Sequence, residues 1–264
     1  MYRVTKVHGI SALAAVVLLL ATGWVQAALT VQANGTVYDD VLGISWDQDA
    51  NATKTLCDAA DPLWTSFVPS SGRALADICA SDGDLRWTEA VEWVAHLNAN
   101  SYKGFTNWRL PTVTQPDPTC SDQSSTVPPQ DFGYRCTGSE LGHLFNAPAP
   151  AGLGNPNDRD DDCSPNCFQN TGPFVNTRAD IYRSGTDFAP EPNSAWEFNT
   201  RSGRQSAAEK TSDSPVTRYV WVVRDGSLPN PAGATPVPVN ANWALVLLIT
   251  SCMAIGGTVL LRRP

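Results

Sequence analysis

An α+β fold is what this sequence predicts, with short strands towards both ends and two helices between them. Three observations predict it. "GTVYDDVLGISW" and "RYVWVVRDG" carry apolar residues in the alternating pattern of strands, one near the start and one near the end. "WTEAVEWVAHLN" and "SELGHLF", between them, carry apolar residues at helical spacing. The order strands, helices, strands belongs to segregated elements rather than to a wound parallel sheet.

Taken in order, Thr36–Tyr38 and Ile44–Trp46 read as two strands around a polar turn. Thr88 is placed to cap a helix over Glu89–Asn98, with Ala90, Val91, Val94 and Leu97 on its apolar face. Ser139–Phe145 fits a shorter helix in which Leu141, Leu144 and Phe145 share a face. "SAWEFNTRSGRQS" reads as a hairpin turning near Arg201–Gly203, and "RYVWVVRDG" as a final strand ending at Gly226. No internal repeat is present. Gly, Pro, Ser, Asn and Asp are plentiful, so much of the chain is expected to be loop. Seven of the nine tryptophans lie between residues 28 and 235 and supply the apolar mass of one core.

The two ends have their own patterns. Arg3 and Lys6 precede an apolar run, Ile10–Leu20, and the small residues around Ala27 and Ala28. This is the three-part layout of a secretory signal peptide, residues 1–27. The run is shorter than the roughly 20 residues a bilayer demands, which favours cleavage over anchoring. Residues 28–227 form the exported domain, and residues 228–242 a Pro-rich linker that holds it off the membrane. Trp243–Leu261 contains no charged residue. As a helix it spans about 28 Å, the thickness of a bilayer core. Arg262 and Arg263 follow, so residues 262–264 are expected in the cytoplasm and everything before the helix outside it. Gly256-Gly257 would let a neighbouring helix or a protease approach closely.

Charge narrows the function. The exported part holds all 26 acidic residues and 14 of the 18 basic ones, a net of −12. With no Lys/Arg run to override that field, nucleic acid is excluded as a partner. Six cysteines lie in this part, Cys57, Cys79, Cys120, Cys136, Cys163 and Cys167, and an even number in an oxidising compartment points to disulfides. Fifteen pairings are open to six cysteines. Proximity favours Cys57–Cys79, Cys120–Cys136 and Cys163–Cys167.

The order of these signals resembles a known family. "YDDVLGISW", "WTEAVEWVAHLN", "GFTNWRLPT", "SELGHLF", "AWEFNTRSG" and "YVWVVRDG" are similar to segments of the Legionella collagen-like C-terminal domain family, over roughly residues 36–226. The most specific piece is "NWRLPT" after the Trp87–Asn98 helix, with Glu140-Leu141 opening the next. The resemblance implies a C-type-lectin-like fold with small antiparallel sheets and long disulfide-stapled loops. It also implies that Trp108 and Leu110 enter the core, that Pro111 fixes a turn, and that Arg109 is mostly buried beside a carboxylate or carbonyls. Trp108, Arg109, Leu110, Pro111, Thr112 and Glu140 are then a structural motif rather than a chemical one. In the family the Pro-Thr pair runs closely into the Glu-Leu helix, whereas here Val113–Gly138 intervenes and carries Cys120 and Cys136. A second long loop, Ala147–Thr171, carries Cys163 and Cys167. The tail "VPVNANWALVLLITSCMAIGGTVLLRRP" resembles IPTL-type sorting signals, relatives of the PEP-CTERM class, which implies export, sorting to the cell surface and a sorting protease as a partner.

Candidate chemistry is sparse. Asp158, Asp160 and Asp162 are spaced D-x-D-x-D, a pattern that could give calcium several of its oxygen ligands, although the glycine and glutamate of an EF-hand are missing. Asp47, Asp49, Asn51 and Asp58 form a weaker version, with Ala52 at the glycine place. No other cofactor is indicated. His143 lies near Glu140 without a nucleophile motif, so no enzyme is expected. The expectation is an exported, surface-sorted, non-catalytic binding domain for carbohydrate or adhesion. The alternative is a structural envelope or biofilm-matrix protein making only protein contacts. Sugar stacking needs exposed rings, and the two long loops offer Phe132, Tyr134 and Phe168.

Overall fold

The computed structural model describes residues 29–125, 129–147, 152–154, 170–211 and 218–228. The chain opens with three antiparallel strands, β1 (Leu29–Val31), β2 (Thr36–Asp39) and β3 (Ile44–Asp47). Three short helices follow: α1 (Ala52–Asp58), α2 (Pro62–Thr65) and α3 (Leu75–Ala80). Asp61 caps α2 by accepting from the Leu63 amide, and Pro62 stands at the first helical position, where its missing N–H costs nothing. The long helix α4 (Trp87–Ala99) leads to β4 (Trp108–Arg109), and α5 (Glu140–Asn146) comes after the loop insertion. The last strands are β5 (Ile181–Asp187), β6 (Ser194–Asn199), β7 (Arg204–Glu209), β8 (Arg218–Tyr219) and β9 (Val223–Asp225).

They form two sheets, ordered β1-β2-β3-β9-β4 and β7-β6-β5-β8. Every pair is antiparallel except β5–β8. The fold is α+β, with both sheets and helices in place.

The final apolar run explains how the two sheets are joined. "RYVWVV" was expected as one strand, yet β8 lies in one sheet and β9 in the other. The run is buried throughout, and alternation divides its side chains between two cores. Tyr219, Trp221 and Val223 pack with Trp46, Tyr182 and Phe198. Val220 and Val222 point the other way, into a core built on Trp64, Phe67, Trp93 and Trp108. Trp221 lies 5.1 Å from Trp46 and 4.8 Å from Phe174 between ring centroids, and its Nε1 donates to the Asp47 carbonyl at 2.8 Å. A strand buried on both faces reads as a continuous apolar run.

Helix α4 starts at Trp87, two residues before the Glu89 that its apolar spacing suggests. Its N-terminus is closed by Glu89, whose Oε2 accepts from the Arg86 amide at 2.8 Å, not by Thr88. Ala90, Trp93, Val94 and Leu97 form the buried face, while Val91 is 41% exposed and falls outside it. Trp93 displaces Val91 because its larger surface gains more from burial against Trp64 and Phe67, 5.5 and 5.1 Å away. Helix α5 is capped by Ser139, whose Oγ accepts from the Gly142 amide. β6 and β7 form the expected hairpin across residues 200–203.

Two disulfides are formed, Cys57–Cys79 between α1 and α3 and Cys120–Cys136 within the insertion. Cys163 and Cys167 lie outside the described residues. Among the described residues no helix is long and apolar enough to cross a membrane. The signal-peptide region and Trp243–Leu261 are outside them.

Candidate functional site

The "NWRLPT" stretch is where helix, strand and insertion meet. Asn98, near the end of α4, clamps the backbone of Trp108: its Oδ1 accepts from the Trp108 amide at 2.7 Å and its Nδ2 donates to the Trp108 carbonyl at 2.9 Å. The indole Nε1 donates to the Tyr102 carbonyl at 2.9 Å, and the ring is buried. Leu110 and Pro111 are buried as well. Pro111 makes no turn; its carbonyl accepts from the Gly185 amide of β5 at 2.8 Å.

Arg109 is paired as its fork geometry favours. Nη1 and Nη2 donate to the two oxygens of Glu140 at 2.8 and 2.7 Å, a bidentate bond. Nε and Nη2 also donate to Asp225 Oδ1 at 3.1 and 2.7 Å. The bonds from Glu140 raise the guanidinium pKa against the effect of burial, with Asp225 adding to them. The side chain is 31% exposed, so Arg109 is mostly buried but still reached by water. It lies at the edge of the five-stranded sheet, where β4 has no further neighbour.

Glu140 also ties the insertion shut. Its Oε2 accepts from the Thr112 amide at 2.7 Å, and its own amide donates to the Thr112 carbonyl at 3.0 Å. Val113 bridges Ser139 directly. The Pro-Thr and Glu-Leu pairs are therefore neighbours in space although Val113–Gly138 separates them in sequence. The insertion closes on itself around two buried carboxylates. Asp117 accepts from the Thr119 and Gly138 amides, and Asp131 from the Asp117 and Ser124 amides. Its Gly133 then exchanges both backbone bonds with Gln205, covering part of the outer edge of β7.

In the weaker acidic pattern Asp47 Oδ2 and Asn51 Oδ1 are buried without a hydrogen-bond partner among the described residues, while Asp47 Oδ1 and both oxygens of Asp49 are engaged. Asp47 Oδ1 accepts from the Asp49 amide and Lys103 Nζ, Asp49 Oδ1 from the Asn51 amide, and Asp49 Oδ2 from Thr55 and Asn176. Asp58 pairs with Lys54 instead. These oxygens face donors, which a cation would have to displace. The D-x-D-x-D residues Asp158, Asp160 and Asp162 lie outside the described residues.

A concave surface lies where sequence reading did not place one. A cleft of about 520 Å³ runs between α2 and the chain after α4, lined by Pro62, Leu63, Ser66, Asn100, Ser101, Tyr102 and Lys103. Ser101 and Lys103 both adopt left-handed backbone angles, φ 50° and 52°, which side-chain-bearing residues seldom take. Lys103 Nζ turns away to donate to the Gly35 carbonyl and Asp47 Oδ1, each at 2.7 Å. Asp47 is fully buried; burial pushes its carboxyl above the ordinary range although Lys103 pulls it down. Below the cleft, His96 Nε2 is 2.8 Å from the Leu63 carbonyl, which can only accept, so that nitrogen carries a proton. No spacing rule marks this cleft, because its two walls come from segments about 35 residues apart that only the packing of α4 brings together.

No curated protein and no solved structure matches the chain. The family model of the Lcl C-terminal domain does, over residues 35–224. Those bounds run from just before β2 to within β9, and they take in the four-stranded sheet, the five-stranded sheet apart from β1, the Trp108–Thr112 stretch and the Glu140 bond that closes the insertion. The chain therefore belongs to the Lcl C-terminal domain family.

Proposed function

We propose that this is an exported, surface-sorted, non-catalytic binding domain of adhesive type, with a lectin-like arrangement of its loops. The observation that carries the reading is the cleft between α2 and the end of α4, a concave face whose one charged lining residue is already paired inside the protein. The prominent ionic groups are likewise engaged in the scaffold: Arg73 with Asp84 and Glu89, Arg109 with Glu140 and Asp225, Arg218 with Glu197. Such an arrangement suits holding a ligand rather than transferring its protons. In this reading residues 1–27 direct export, Trp243–Leu261 anchors the chain or delivers it to a sorting protease, and the domain faces outward.

The test uses the full chain with its disulfides intact, purified in a detergent without a sugar headgroup. It is applied to an array of neutral and sulfated glycans printed beside extracellular-matrix proteins. Saturable binding to any class is the expected result. A chain that binds none of them overturns the reading in favour of a structural envelope or matrix protein.

A further inference from the structure

We propose that Asp47 and Lys103 are the two halves of a covalent cross-link, an amide formed between the Asp47 carboxyl and the Lys103 amine with loss of one water. The bond ties the end of β3 to the chain after α4, 56 residues further on, and reduction cannot open it as it opens a disulfide.

The two groups are held in contact. Lys103 Nζ donates to Asp47 Oδ1 at 2.7 Å, and the Gly35 carbonyl, also at 2.7 Å, holds it from a second side. Reacting atoms need to sit about 3–3.5 Å apart, and a hydrogen bond to the adjoining oxygen brings the nitrogen to the carboxyl carbon at close to that range. The backbone fixes both partners. The Asp49 amide donates to the same Oδ1 at 2.9 Å, and the Asp47 carbonyl accepts from the Trp221 indole at 2.8 Å. Lys103 has a left-handed backbone, φ 52°, and Gly35 passes so close that a β-carbon there would lie 3.2 Å from Nζ.

Burial favours the amide over the ion pair. Asp47 is fully buried and the Lys103 side chain is 20% exposed, so the charges have lost much of their hydration. Asp47 Oδ2 has no hydrogen-bond partner among the described residues, which leaves the carboxylate half compensated. Burial raises the carboxyl's pKa although Lys103 lowers it, which favours the uncharged acid that an amine can attack. The Tyr102 phenol feels the same carboxylate. Burial, with Asp47 adding to it, raises the phenol's pKa, so a protonated donor stays beside the oxygen that becomes negative during attack. Among the described residues the other lysine–carboxylate pairs lack this setting: Lys54 meets an Asp58 that is 60% exposed, and Lys210 an Asp187 that is 61% exposed.

The step balances without a co-reactant. A proton passes from the ammonium to the carboxylate, giving an amine and a carboxylic acid. The nitrogen lone pair attacks Cγ and forms the C–N bond. A second proton moves from nitrogen to the hydroxyl, the C–O bond breaks with its electron pair going to oxygen, and water leaves as the carbonyl reforms.

The experiment denatures, reduces, alkylates and trypsin-digests the purified full chain, then reads the peptides by mass spectrometry. The expected product is branched. It joins the peptide ending at Lys54 to Trp87–Arg109, is lighter than their sum by one water, and is uncut after Lys103. Lys103→Arg keeps the positive charge, but its guanidinium holds its proton and cannot attack, so the branched product should vanish and trypsin should cut after residue 103. A parent digest with the peptide ending at Lys103 at full mass and no branched product overturns the proposal, whether or not the variant folds. A branch from Lys103 to any residue other than Asp47 overturns the pair.

Discussion

Arg109 and Arg218 each bond a glutamate at 2.7 Å, yet the side chains of the first pair are 31% and 13% exposed and those of the second 8% and 8%. The first pair belongs to the most recognisable stretch of the sequence. The second belongs to no motif at all. Arg218 stands at the start of β8, Glu197 in β6, and between them in the sheet lies Arg183 of β5, opposite Glu197 in register and 4% exposed. Burial, with Arg218 adding to it, pushes Arg183 down to about 10, while Glu197 opposes both. The comparison separates recognisability from energetic weight. The motif pair organises a junction that water partly screens, and the unmarked pair neutralises a buried charge that water cannot reach.

The largest effect is therefore expected away from the motif. Glu197→Ala removes the carboxylate that lies between two buried guanidinium groups, and a broken buried pair costs about 3–5 kcal/mol. Urea unfolding of the full chain measures it. A loss below that of Arg109→Ala breaks the comparison.

Arg109→Ala comes second. Among the described residues it leaves the Glu140 carboxylate with the Thr112 amide alone and opens the neck of the insertion, but the site is partly wet. Loss of charged hydrogen bonds in such a place is expected to cost about 1.5–3 kcal/mol rather than the larger figure of a buried ion. Because the insertion is anchored there, Arg109→Ala should also speed proteolysis within Val113–Gly138 more than Glu197→Ala does. Equal cleavage in the two variants would show that the disulfide and the Asp117–Asp131 knot hold the loop without Glu140.

These pairs also show what was legible in the sequence. Helix α4 declared itself because 13 residues sustain one apolar period, and α5 and the β6–β7 hairpin because their cap and turn residues are local. α1, α2 and α3 span 7, 4 and 6 residues, too short for a period to register, and are held by the Cys57–Cys79 bridge and the Trp64–Phe67–Trp93 core. β5 reads "IYRSGTD", polar at several positions, because Arg183 and Ser184 face buried partners rather than water. The split of "RYVWVV" between two sheets follows from long-range pairing, which local pattern cannot encode. The cleft was hidden for the same reason.

Further down the scale, Asp225→Asn removes only the exposed arm of the Arg109 fork. Asp225 is 75% exposed, and pairs of that kind contribute about 0–1 kcal/mol. Added salt should not change the parent by more than this variant does, since the Glu140 arm is better shielded.

The smallest effect belongs to a third pair, Arg178 with Asp82, whose side chains are 35% and 37% exposed. Burial tends to raise the Asp82 carboxyl, but bonds from Arg178 at 2.8 Å and from the Tyr219 hydroxyl at 2.9 Å outweigh it and hold its pKa below the ordinary carboxylate value. A carboxylate with a lowered folded-state pKa contributes stability above its unfolded value, near 3.8, and loses it as pH falls through the folded one. Asp82→Asn should therefore melt below the parent at neutral pH, by an amount worth less than about 1 kcal/mol after solvent screening. The two curves should converge as the pH drops below the ordinary carboxylate range. Asp47 sets the opposite sign: with its pKa raised by burial, its contribution is full in acid and lost as pH rises. If the Asp82→Asn deficit instead stays constant into acid, the Arg178 bond is not ionic in effect, and the ranking of the three arginines by burial fails at its exposed end.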